Sequence, residues 1–172
     1  MTEENLDLLL DFKIPGIIVK NFIDKETCFE VANRLNALKF GNYDHLKDIP
    51  VQQVGLCHNQ WATEDKSVYF SKKQQANQIV ESIYQGLGID PVQMVIDLLS
   101  SRGGKAAGVF EEPGYGEYFS GAFRRFNGHG KLHVDHAPSH ISHPWIVTQI
   151  LRQMTWNIYY TMPSTGGELV IY

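Results

Sequence analysis

The sequence changes its period once, and that change limits the folds open to it. Up to about residue 104 the readable segments carry apolar residues at helical spacing. Asp24 is a natural N-cap for a helix reaching about Leu38, with Cys28, Val31, Ala32, Leu35 and Leu38 on one stripe. Ser71 is a plausible cap for a second helix to about Gln85, closed by Gly86 and Gly88. Asp90-Pro91 joins a cap residue to a proline at the first helical position and opens a third helix, stopped by Gly103-Gly104. From Val109 the pattern alternates with period two. Tyr118, Ser120, Ala122, Arg124 and Phe126 face one way, and Phe119, Gly121, Phe123 and Arg125 the other. Both faces carry aromatic rings, so this strand is expected to be covered on both sides. Thr155 to Thr161 and Glu168 to Tyr172 are two further expected strands. Helices first and strands later predict an α+β fold.

The other segments are less constrained. Residues 1 to 13 form a polar leader with a short amphipathic turn, and Gly16-Ile17-Ile18-Val19-Lys20 is a β-branched candidate strand. Ile49-Pro50 through Leu56 is another candidate strand, flanked by His45, His58 and Trp61. The 172 residues contain no internal repeat, low-complexity tract or linker, so a single domain is expected. Its helical part covers about 1–105 and its strands about 109–172. A formal net charge of −4 argues against a nucleic acid or an anionic membrane surface as partner. No apolar run approaches the ~20 residues of a membrane span, and the acidic start Thr2-Glu3-Glu4 does not read as a signal peptide. Cys28 and Cys57 lack metal-binding or disulfide spacing and are expected to be buried free thiols, consistent with a cytoplasmic location.

The chemistry-bearing residues lie in the β part. His133 and Asp135, two apart on an expected strand, point the same way and can share a metal ion. At neutral pH a His is largely neutral and an Asp ionised, the forms that bind metal. A second His would complete the 2-His-1-carboxylate set of non-haem iron sites, which leaves coordination positions open. His129, His136, His140 and His143 crowd the same region as a His-rich loop. The His136/His140 pair offers a rival, zinc-type site, although Pro138 and Pro144 disfavour a regular helix there. Arg124 and Phe126 share a face on the strand before the turn. An inward Arg124 would need an anion, either a bound carboxylate or an internal residue such as Glu168. Gly128-x-Gly130 reads as a hairpin turn, not a phosphate loop.

In order, Ala122 to Phe126, Asn127-Gly128-His129-Gly130, His133/Asp135, Ile158-Tyr159-Tyr160 and Gly166-Gly167-Glu168-Leu169-Val170-Ile171-Tyr172 resemble the 2-oxoglutarate/Fe(II)-dependent oxygenases. The similarity is to the small-molecule branch that includes the alkaloid halogenases, and more loosely to prolyl hydroxylases. It is carried by the last third of the chain and, more weakly, by Gly16 to Leu38. The resemblance implies a double-stranded β-helix, the cupin-like jelly roll, with the N-terminal helices packed outside. It implies Fe(II) as metal, with 2-oxoglutarate and O2 as cosubstrates, and oxidation of a small molecule. His133 and Asp135 become metal ligands. Tyr160, Arg124 and Phe126 become candidates for holding the 2-oxoglutarate. In halogenases of this branch a small residue replaces the carboxylate ligand, so Asp135 points to hydroxylation. The family's third ligand, a His on a later strand, and the Arg that follows it have no counterpart before Tyr172. The expectation is therefore of the front portion of a longer oxygenase, with a jelly roll incomplete at the C-terminus. The alternatives are a non-catalytic cupin-like binding module and a zinc protein using the 129–143 histidines.

Overall fold

The computed structural model describes residues 1–42, 51–57, 65–126, 128 and 132–171. In chain order the elements are α1 (Glu3–Leu10), α2 (Lys25–Ala37), β1 (Gly41–Asn42), β2 (Val51–Val54), α3 (Lys66–Tyr84) and α4 (Pro91–Gly103). They are followed by β3 (Glu111–Glu112), β4 (Gly116–Glu117), β5 (Phe123–Phe126), α5 (Ala137–His140) and a 3₁₀ turn at Ile146–Gln149. The fold is α+β with few, short strands. The chain divides into two compact units, one of Met1–Leu38, Gly86–Ala107 and Met154–Tyr172, the other of Lys39–Gln85 and Gly108–Gln153.

In the first unit the caps act as their sequence suggests. The Asp24 carboxylate accepts from Thr27 N at 2.8 Å and opens α2. Asp90 accepts from the amides of Val92 and Gln93, both at 3.1 Å, with Pro91 in the first turn of α4. Gly104 ends α4 in the left-handed region at φ 63°. The polar leader is more ordered than expected. Thr2 accepts from Asn5 N at 3.3 Å and caps α1. Leu6 of α1 is buried, and a Cβ at Gly103 would stand 2.6 Å from its Cδ2, so a larger residue at this point of α4 would force Leu6 to shift. The expected strand at Gly16 to Lys20 does not form. Among the described residues it has no ladder partner, and Ile18 is 87% exposed. Thr155 to Thr161 and the described part of Glu168 to Tyr172 also lie outside regular secondary structure. Alternation alone does not make a strand without a neighbour to bond to.

In the second unit β2 is the central strand of an antiparallel sheet ordered β1-β2-β5. Val54 opposes Phe123 and both are buried. The long alternating strand expected from Tyr118 is regular only at β5, and only one of its faces is covered. Phe123 is buried whereas Arg124 and Phe126 are exposed. Helix α3 begins earlier than Ser71. Asp65 accepts from Ser67 N at 2.8 Å and caps it, and the Ser71 hydroxyl bonds back to Val68 O at 2.9 Å. Tyr69 of α3 meets Trp145 edge-on at 5.4 Å and Tyr118 at 6.1 Å, and Ala137 and Ile141 complete that core. Burial pushes the Tyr69 phenol up to about 12. Its oxygen accepts from Phe119 N at 3.0 Å. Cys57 is a buried free thiol and Cys28 a half-buried one.

One carboxylate links these pieces. Glu112 of β3 is 3% exposed. It accepts from Lys66 Nζ at 2.5 Å, from Ile146 N at 2.9 Å and from the Tyr118 hydroxyl. Lys66 also donates to Pro144 O at 2.8 Å. Burial alone would raise the Glu112 pKa, but the three donors and the lysine charge outweigh it and hold it below its ordinary value. Burial, then the bond to Glu112, pushes the Tyr118 phenol up strongly. Lys66→Met leaves Glu112 buried without its cation and is expected to cost about 3 kcal/mol, read as a lower urea midpoint. A depressed carboxylate stabilises the fold above its unfolded pKa, and that contribution is lost as pH falls through the native value. Wild type should therefore lose stability below its ordinary value of 4.5 more steeply than Glu112→Gln does.

Candidate metal centre

His133 and Asp135 lie outside regular secondary structure rather than on the expected strand. Their side chains nevertheless face each other, with His133 Nε2 3.8 Å from Asp135 Oδ1. They are 65% and 41% exposed, so both can change rotamer without disturbing the core. Two donors at cis positions around one ion, each at ~2.1 Å, stand about 3 Å apart. A closing movement of under about 1 Å would place both on one metal, so the pair fits a shared ion. Among the described residues no group of three or more His, Cys, Asp and Glu side chains could hold a metal.

The rival pair is placed differently. His136 is the N-cap of α5, and its Nδ1 lies 2.7 Å from the Ser139 hydroxyl. His140 ends α5 with Nε2 2.7 Å from the carbonyl oxygen of Val134. A carbonyl oxygen only accepts, so that nitrogen carries the proton. In this tautomer His140 Nε2 is not a metal donor. The helix itself departs from expectation, because Pro138 sits in its first turn, where a missing N–H costs nothing. His143 is exposed. His45, His58, Trp61 and His129, and most of the hairpin turn at Gly128-x-Gly130, lie outside the described residues.

Of the candidate cosubstrate residues, two share β5 and the third lies in the other unit. Arg124 does not point inward. It sits on the exposed face of β5, and its Nη2 donates to Cys57 Sγ at 3.4 Å. Phe126 shares that face and is 56% exposed. Tyr160 belongs to the first unit, where it is half-buried while Tyr159 is 54% exposed. Sequence reasoning missed two contacts that position the His133 region, the Glu112 cluster and the bond from His140 to Val134. Neither has a motif, and the first joins residues 46 apart in sequence.

Comparison with known proteins sets the chain in a chemical class. The chain falls among the Fe(II)- and 2-oxoglutarate-dependent enzymes. Within that class it belongs to the family of the carrier-protein-independent halogenase WelO5, whose family model matches residues 2–172. The match extends well beyond the last third of the chain that carries the motifs. The cofactor set of the family is Fe(II), 2-oxoglutarate and O2, as the motifs imply. Neither the curated proteins nor the solved structures gave a significant match. Replacing His133 or Asp135 by Ala should lower Fe(II) affinity at least about tenfold, whereas His143→Ala should leave it unchanged. Anaerobic Fe(II) titration followed by metal analysis checks this.

Proposed function

We propose that this protein is an Fe(II)- and 2-oxoglutarate-dependent oxygenase that hydroxylates a free small molecule. His133 and Asp135 supply two of the metal ligands. The observation that carries the reading is the Asp135 carboxylate, 3.8 Å from His133 Nε2 and able to close onto a shared ion. Bound together, iron and 2-oxoglutarate supply an O2-derived oxidant strong enough to attack unactivated carbon. The chain's part is to hold the metal, orient the substrate and limit water at the reacting atoms. Tyr160, Arg124 and Phe126 are the residues proposed to hold 2-oxoglutarate. For Arg124 this means exchanging its Cys57 contact for a carboxylate, a stronger partner for a guanidinium. The family description, a halogenase independent of carrier protein, supports a substrate that arrives free. We place the strands in a double-stranded β-helix, as the family resemblance implies, and the enzyme in the cytoplasm. Among the described residues no helix is long and apolar enough to cross a membrane.

The family description favours a second reading, halogenation. The two differ at one ligand position. A halogenating site needs room for a halide beside the metal, and Asp135 fills the place a small residue would leave open. Wild type, loaded anaerobically with Fe(II) and 2-oxoglutarate, should show a visible charge-transfer band that chloride does not move. Asp135→Gly should show a band that chloride does shift. A chloride-dependent shift in wild type would favour halogenation. A band that survives His133→Ala unchanged would remove the metal assignment itself.

A further inference from the structure

His140 lies seven residues beyond His133 and is not one of the proposed ligands, yet its ring nitrogen ends on the residue between them. Its Nε2 stands 2.7 Å from the Val134 carbonyl oxygen. Val134 itself is 70% exposed, so packing does little to fix the peptide that carries His133 and Asp135. His140, by contrast, sits on an anchored element. Ala137 and Ile141, on either side of it in α5 and its C-cap, are 3% and 6% exposed and pack with the fully buried Trp145. The amide of Ala137 donates to Gln153 Oε1 at 2.7 Å, and that of Ile141 to Ala137 O at 3.0 Å. At the start of the turn, His136 Nδ1 meets the Ser139 hydroxyl at 2.7 Å. A connected path therefore runs from the aromatic core through α5 and His140 to the backbone between the two proposed ligands.

We infer that His140 is a positioning residue for the metal pair. Its Nε2–H holds the Val134 carbonyl and so fixes the spacing of His133 and Asp135 before metal arrives. The inference rests on the assignment of those two residues as ligands. Holding a peptide in place reduces the conformational freedom that metal binding would otherwise remove. Outer contacts of this kind typically change metal affinity ten- to a hundredfold. An exposed bond belongs at the lower end of that range.

The test compares wild type, His140→Leu, His140→Gln and His133→Ala. Each is titrated anaerobically with Fe(II), then with 2-oxoglutarate while the visible charge-transfer band is recorded. Thermal unfolding without metal is run alongside. His140→Leu should bind Fe(II) about tenfold more weakly than wild type, with a broadened or displaced band and little change in the metal-free Tm. His140→Gln keeps an N–H that can reach the Val134 carbonyl and should recover most of the affinity. If His140→Leu binds as tightly as wild type while His133→Ala does not, the positioning role is overturned and the ligand assignment stands. If His140→Leu and His140→Gln weaken binding equally, the hydrogen bond is not the agent and the role is likewise overturned. If His133→Ala also binds like wild type, the ligand assignment fails and the inference fails with it.

Discussion

The second unit depends on a buried charge that has been satisfied. Glu112 brings one negative charge into a site that is 3% exposed, an environment that would normally force a carboxyl to take up a proton. Lys66, Tyr118 and the Ile146 amide prevent that by supplying donors from a helix, a strand-flanking loop and a 3₁₀ turn. The interaction contributes more to specificity than to raw stability. An apolar cluster of the same volume could hold these segments equally well, but it would not care which atoms met. The carboxylate does care, since each partner must arrive in hydrogen-bonding geometry. Lys66 adds the Pro144 carbonyl, so the chain just before Trp145 is pinned as well.

Pinning Pro144 and Ile146 places Trp145, and Trp145 places α5. The indole is fully buried among Tyr69, Phe70 and Tyr118, and Ala137 and Ile141 close the same cluster. Helix α5 is only four residues long and could not persist on its own hydrogen bonds. Tertiary packing holds it. The exposed His133 to Asp135 segment thus stands next to a rigid platform, an arrangement suited to side chains that must gather around an ion.

What could be read from the sequence follows the range of the forces involved. Asp24, Asp90-Pro91 and Gly104 act within one helical turn, so the ends of α2 and α4 were legible. Ser71 misled because Asp65, six residues earlier, is the actual cap, and a serine inside a helix can bond back to its own turn. The strands were harder, because a strand exists only with a neighbour. Residues 155–161 alternate well yet form no regular strand, whereas Val51–Val54 has a weaker pattern and takes the centre of the sheet. His133 and Asp135 do lie close together, as their local spacing suggests, but not on the strand expected for them. The outward turn of Arg124 was not, because it depends on which face of β5 the rest of the unit covers. The Glu112 cluster joins residues 66, 112, 118 and 146, and no local pattern announces such a meeting.

Family membership and Asp135 pull the chemical reading in different directions, and electrostatics shows why the residue carries weight. A ligand carboxylate does two things for a divalent metal, filling one coordination position and cancelling one unit of charge. A halide bound in its place would have to do both. A small residue at 135 would leave an open position and an uncompensated positive charge, which together make a site for an anion. A carboxylate ligand at Asp135, 3.8 Å from the imidazole it would share a metal with, would take away the space and the field at once. The ring of His140 is engaged as a hydrogen-bond donor to the Val134 carbonyl between the two. On these grounds the shared ancestry with a halogenase explains the cofactors and the surrounding chain, while the single carboxylate explains why the outcome proposed for this protein is oxygen transfer.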